Sequence, residues 1–187
     1  TLSADYFKKT TSDLLLPLSL TSGVGDVQPT MVNAGEVSNT GFELTASYRN
    51  NNRAFKYSVS GNVASVTIMV DKLDPNLPSI YGNVSKTEPG HPLNSFYGFK
   101  MIGIYQNQKE IDDYLTGAPH PEIKPGDIKF ADKNGDGIIN DNDRTYIGNP
   151  NPRLTYGANL SASYKGFDFS AFMQGVSGVE KYNDLKK

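Results

Sequence analysis

Four stretches of the chain alternate apolar and polar residues with a period of two. In residues 42–49, Phe42, Leu44, Ala46 and Tyr48 alternate with Glu43, Thr45, Ser47 and Arg49. In 55–63, Phe55, Tyr57, Val59, Gly61 and Val63 alternate with Lys56, Ser58, Ser60 and Asn62. Residues 154–164 set Leu154, Tyr156, Ala158, Leu160, Ala162 and Tyr164 against Thr155, Gly157, Asn159, Ser161 and Ser163. Residues 167–175 set Phe167, Phe169, Ala171 and Met173 against Asp168, Ser170, Phe172 and Gln174. Successive side chains of a strand point to opposite faces, so each stretch predicts a strand with one oily and one wet side. Residues 2–9 form a weaker fifth candidate.

The strands predict two hairpins, closed by the turn-prone Asn50-Asn51-Asn52-Arg53 and Lys165-Gly166. Aromatic residues flank both turns, Tyr48 and Phe55 at one and Tyr164 and Phe167 at the other. Such placement suits the interfacial girdle of a membrane barrel, and equally the plain preference of aromatics for strands. Between the hairpins lies a connection spanning residues 65–153, rich in proline, glycine, asparagine and aspartate. A connection of that length carries a function or local structure of its own. Within it 96–105 reads as a strand and 109–115 as a short helical turn. Residues 11–40 read as a second outward loop, so short turns alternate with long loops as in outer-membrane barrels.

Composition narrows the class. The 187 residues carry a net charge of −2 with both signs interspersed, unlike the clustered basic face of a nucleic-acid binder. The chain has no cysteine, which excludes disulfides and thiolate chemistry. Residues 1–20 lack the basic start and apolar core of a signal peptide, and no apolar run is long enough for a membrane-spanning helix. A mean hydropathy of −0.47 fits a soluble domain or a barrel, whose strands are apolar on one side only. Eleven Tyr, nine Phe and 18 Gly lean towards β structure.

Candidate chemistry concentrates in Asp132-Lys133-Asn134-Gly135-Asp136-Gly137-Ile138-Ile139-Asn140-Asp141-Asn142-Asp143. Calcium takes several hard oxygens from a tightly curled loop. Asp132, Asn134 and Asp136 would supply side-chain oxygens, Ile138 its carbonyl, Asn140 a direct or water-mediated contact, and Asp143 the closing carboxylate. Residues 126–130 before the loop read as extended, unlike the helix of an EF-hand. A polar Asx-rich turn without an ion remains the alternative. The only histidines, His91 and His120, each adjoin a proline and sit in no recognisable motif. No GxSxG, HExxH or phosphate-cradling loop occurs. The chain is not expected to be an enzyme.

Several segments, in order, resemble the C-terminal part of the barrel in SusC/RagA-type TonB-linked outer-membrane transporters of Bacteroidetes. They run from Asp5-Tyr6-Phe7-Lys8-Lys9-Thr10-Thr11-Ser12-Asp13-Leu14-Leu15 to Asn33-Ala34-Gly35-Glu36-Val37-Ser38-Asn39-Thr40-Gly41-Phe42-Glu43-Leu44. Then follow Phe96-Tyr97-Gly98, Gly103-Ile104-Tyr105, Pro125-Gly126-Asp127-Ile128-Lys129-Phe130, Ile147-Gly148-Asn149-Pro150-Asn151-Pro152 and Tyr164-Lys165-Gly166-Phe167-Asp168-Phe169-Ser170. The resemblance covers essentially residues 1–187. It implies an all-β fold of antiparallel strands forming part of a transmembrane β-barrel, with a long extracellular loop at 65–153 bearing the 132–143 turn. It also implies a bacterial outer-membrane nutrient importer of oligosaccharides or peptides with a SusD-like surface lipoprotein as lid. TonB would be engaged through an N-terminal part that this chain lacks, together with the plug and other strands. Membrane lipid would contact the barrel, and nucleic acid is not expected as a partner. The rival reading is a soluble secreted β-sandwich that binds carbohydrate and is stapled by calcium. The two differ in whether the apolar strand face meets lipid or a second sheet.

Overall fold

The computed structural model describes residues 1–18, 30–51 and 54–183, and of 16–18 and 30–34 the backbone alone. Three long strands come first: β1 (Leu2–Leu18), β2 (Thr30–Asn50) and β3 (Phe55–Leu73). The connection contains β4 (Ile80–Tyr81), β5 (Ser85–Thr87), β6 (Ser95–Phe99), β7 (Met101–Ile104), helix α1 (Gln108–Tyr114), β8 (Ile128–Phe130) and β9 (Arg144–Gly148). β10 (Leu154–Tyr164) and β11 (Phe167–Ser177) complete the chain. The long strands form one antiparallel sheet in the order β1-β2-β3-β10-β11, with β1 and β11 outermost.

Register brings the apolar sets onto one face. Tyr6 pairs with Phe42, Leu44 with Val63, and Ala46 with Gly61. Val59 pairs with Leu160, Phe55 with Tyr164, and Tyr164 with Phe167. The opposite face collects Thr45 beside Asn62, Ser58 beside Ser161 and Ser163 beside Asp168. Ser58 and Ser161 join their hydroxyls at 2.7 Å. Because a one-residue slip would invert a whole strand, this agreement across the sheet fixes the pairing. Among the described residues no second sheet covers the oily face: Tyr48 is 60% exposed, Leu160 42% and Phe167 82%. The sandwich alternative required that cover, which the described residues do not supply.

The hairpin turn at Lys165 and Gly166 has φ of 48° and 87°, the positive pair that a two-residue primed turn demands. The other turn, 50–53, lies partly outside the described residues at 52–53. Tyr48, Tyr57, Phe55 and Tyr164 form a chain of ring contacts 5.8–6.2 Å apart at this turn end.

Two expected boundaries move. The expected loop at 11–40 is strand up to Leu18 and again from Thr30, which leaves 19–29, outside the described residues. The ladder carries irregularities between Thr11 and Leu15, where Asp13 takes a φ of 59°. The expected connection from residue 65 likewise begins as strand, through Leu73. Its sequence still alternates there, but Val66, Ile68 and Val70 lie on the face of Asn62, opposite to Val63. That inversion of polarity hides the strand from a search for one continuous apolar series. Above the switch Val37 and Val70 pair and are buried, as in a soluble sheet.

The connection is folded. β4-β5-β6-β9 make a four-stranded sheet and β7-β8 a two-stranded one. The expected strand at 96–105 is divided at Lys100 between them, while the helix falls close to where it was expected. Asn107 caps α1 by accepting from the Glu110 N–H at 2.9 Å, and Glu110 reaches back to the Gln106 N–H at 2.9 Å. Ile111 and Leu115 then close on Tyr105 as the local core, with Tyr114, Ile123 and Ile139 packed around them.

Candidate functional site

The Asp/Asn loop curls by satisfying its own backbone. Asp132 Oδ1 accepts from the Gly135 N–H at 2.6 Å and Oδ2 from the Gly137 N–H at 2.7 Å. Asn134 Oδ1 accepts from the Asp136 N–H at 3.2 Å, and Asp136 Oδ1 from the Ile138 N–H at 2.8 Å. Gly137, at φ 74°, lies against Thr116 and Gly117 so closely that a Cβ would clash with their backbone. A short 3-10 turn, Asp141–Asp143, ends the loop, capped by Asn140. Asp143 is fully buried and accepts from the Lys133 and Asn140 N–H groups, each at 2.8 Å. Those backbone donors hold its carboxyl below the usual carboxylate range.

The structure thus gathers the sequence-identified Asp132, Asn134, Asp136, Ile138, Asn140 and Asp143 into one loop. Their oxygens are engaged mainly by backbone donors, and no group of three or more His, Cys, Asp or Glu among the described residues converges as a metal-binding set. The loop is tied to the helix: the Tyr114 hydroxyl donates to the Phe130 carbonyl and accepts from the Asp132 N–H, both at 2.9 Å. Lys129 completes the tie by pairing with Glu110 at 3.0 Å and lying 4.1 Å over the Tyr114 ring.

A second cluster escaped the sequence reading. Lys86 from β5 pairs with Glu88 at 2.5 Å and lies over the Tyr97 and Tyr81 rings at 4.9 and 5.4 Å. Burial pushes the Glu88 carboxyl up, but its hydrogen bond with Lys86 and the other neighbouring groups outweigh burial and leave it lowered. His91 stacks on Tyr146 with ring centroids 3.7 Å apart and sits 3.8 Å from Glu88. The Tyr146 hydroxyl is buried without a hydrogen-bond partner of good geometry. Burial first, and the Glu88 charge second, push the phenol well above its ordinary pKa. We read the Glu88–Tyr146 contact as electrostatic, since it does not meet hydrogen-bond geometry. The His120 ring lies 2.9 Å from the Ala118 carbonyl and 3.6 Å from Asp112. Sequence spacing offered no signal for the second cluster, because Tyr81, Tyr97 and Tyr146 reach Lys86, Glu88 and His91 from other strands of the small sheet.

Outside these clusters β7 and β8 leave an apolar face open. Ile104 pairs with Ile128 across the strands, and both are exposed, with Met101 and Ile102 beside them. The opposite face carries Lys129 against α1 and the buried Tyr105.

Comparison with known proteins fits this architecture. Residues 1–186 match the family model "TonB dependent receptor-like, beta-barrel". TonB-dependent receptor P26 of Formosa agariphila is 33% identical over 96% of this chain, and TonB-dependent receptor P3 of the same organism 34% identical over 97%. The chain spans only 18% and 19% of those relatives. Two solved structures of RagAB, described as a peptide transporter and as a peptide importer, superpose with TM-scores of 0.70 and 0.71. They are 24% and 22% identical and share 95% of this chain's length, itself 19% of theirs. The family is one of outer-membrane receptors rather than enzymes. The open sheet with its single oily face is therefore a stretch of barrel wall, and the chain belongs to the TonB-dependent receptor β-barrel family.

Proposed function

We propose that the chain forms part of the wall and outer mouth of a TonB-dependent importer of oligosaccharides or peptides. The observation that carries this reading is the apolar face that register assembles over five strands, backed by a mainly polar face that Phe7, Phe172 and Val176 interrupt. The eleven residues of β10, at about 3.3 Å each and tilted by about 45°, span about 25 Å, the height of a barrel's apolar band. Strands β2 and β3 continue past that band, where their polarity inverts, and carry the folded connection outward. TonB acts through parts of the parent protein beyond this chain. The SusC/RagA-type assignment draws support from the RagAB structural likeness.

The partner at the outer mouth is a SusD-like lipoprotein, and the stripe of Met101, Ile102, Ile104 and Ile128 supplies an apolar surface for it. Removing residues 81–143 from the parent transporter leaves the barrel in the outer membrane but lowers recovery of the lipoprotein with it. Unchanged co-purification would remove the loop from the docking surface.

The 132–143 loop has the donor chemistry for a structural calcium ion through Asp132, Asn134, Asp136, the Ile138 carbonyl, Asn140 and Asp143. Titration of calcium into chelator-treated parent protein should give saturable binding that Asp136→Ala weakens. Absence of binding leaves the self-capped Asx turn as the whole account.

A further inference from the structure

Where the long sheet meets the folded connection lies a cavity of ≈ 340 Å³, bordered by His91, Asn149, Arg153 and Glu180. Arg153 immediately precedes β10 and is held in the ladder from both sides. Its N–H donates to the Ser177 carbonyl at 3.2 Å, and its carbonyl accepts from the Val66 N–H at 3.1 Å. By strand alternation it continues the series Thr155, Gly157 and Asn159, the polar face that looks into the barrel. The Arg153 stem crosses Gly178, whose added Cβ would stand 3.0 Å from Arg153 Cβ. Likewise the Glu180 stem crosses Gly148, where a Cβ would lie 3.1 Å from Glu180 Cβ. Two glycines thus make room for two charged side chains beside one cavity.

The two charges are not equivalent. Glu180 Oε2 accepts from the Asn149 N–H at 2.7 Å, and its own N–H donates to the Asn149 carbonyl at 2.9 Å, so this carboxylate is fixed. Among the described residues, the Arg153 guanidinium has no hydrogen-bond or ion-pair partner. His91, stacked on Tyr146, gives the cavity a flat side wall. Ser95, also at the cavity, spends its hydroxyl on the Pro92 carbonyl at 2.7 Å.

We propose that this cavity holds a carboxylate group of the imported cargo, with Arg153 as the residue that binds it. The inference rests on the importer reading, because it needs cargo to pass along the polar face. A guanidinium presents a rigid fork of donors that matches a carboxylate in two parallel hydrogen bonds. Glu180, already anchored, accepts from an amide N–H or hydroxyl next to that carboxylate. The group is carried either by a peptide, at its C-terminus, or by a uronic acid of an oligosaccharide.

The test uses the complete transporter in outer-membrane vesicles from its host. Three fluorescent probes are compared: a library of short peptides of mixed sequence without Asp or Glu and with free C-termini, the same library amidated, and oligogalacturonate. Arg153→Gln should weaken one carboxylate-bearing probe about tenfold or more, with a smaller loss for Arg153→Lys. The amidated library should bind the variant and the unmodified protein alike. Whichever acid probe responds identifies the source of the carboxylate. Equal loss for free and amidated probes, no change for any probe, or no binding of either acid by the unmodified protein overturns the proposal. Surface abundance of Arg153→Lys guards against misfolding as the cause. Uptake in a strain without TonB separates the two claims. TonB-dependent uptake with a neutral Arg153→Gln refutes the site alone, and probe binding with TonB-independent uptake refutes the importer reading.

Discussion

Ile111 is wholly buried beneath Tyr105 and Leu115, and it anchors a helix of only seven residues. So short a helix draws its stability from tertiary packing rather than propensity. Ile111→Ala should therefore cost about 2–5 kcal/mol of local stability, seen as faster amide exchange across residues 105–132 of the folded parent. Exchange rates equal to those of the unmodified protein would contradict that packing. Glu88 makes a second residue-level prediction. Its carboxyl is lowered in the folded state, so its contribution to stability is present above the unfolded value of 4.5 and lost as pH falls through the folded one. Glu88→Gln should accordingly flatten the loss of stability on acidification below about pH 5, measured by proteolysis between residues 80 and 98. An unchanged acid profile would show that the pair with Lys86 contributes nothing. The Asp/Asn loop was legible from sequence because its capping partners lie two to ten residues apart. Lys86, Glu88, His91 and Tyr146 were not, since only the small sheet brings Tyr146 to the others.

At the level of elements, polarity and register decide what each strand can do. Gly175 sits beneath the Tyr156 ring, its direct partner on the oily face, so the aromatic covers a gap that glycine leaves open. Leu160 lies on that face near the middle of β10, and Asn159 on the other. Leu160→Arg should cost about 2–4 kcal/mol at the bilayer midplane and lower the folded barrel yield, read from heat-modifiable gel mobility. Asn159→Lys should leave that yield nearly unchanged, and equal losses from both would contradict the assignment of faces. The four alternating strands were plain in the sequence because each holds one polarity along its apolar band. The outward parts of β1, β2 and β3 were read as loop because β3 swaps its apolar face after Val63 and β1 is broken by irregularities near Asp13. The fold of residues 74–153 was legible only in fragments, since strands of two to five residues leave too few alternations to read.

For the molecule as a whole, the sheet makes sense as part of a larger closed surface. β1 and β11 end the sheet, and in lipid every strand edge requires a partner. The relatives, of which this chain spans about a fifth, have ample length to supply those neighbours. The central claim is that even-numbered residues of β10 face lipid and odd-numbered ones face the water-filled interior. Spin labels placed singly at residues 156–163 of the parent transporter, reconstituted in bilayers, test it directly. The account predicts that collisions with oxygen dominate at Tyr156, Ala158, Leu160 and Ala162, and collisions with a water-soluble nickel complex at Gly157, Asn159, Ser161 and Ser163. Accessibility that fails to alternate, or that alternates in the opposite phase, would contradict it.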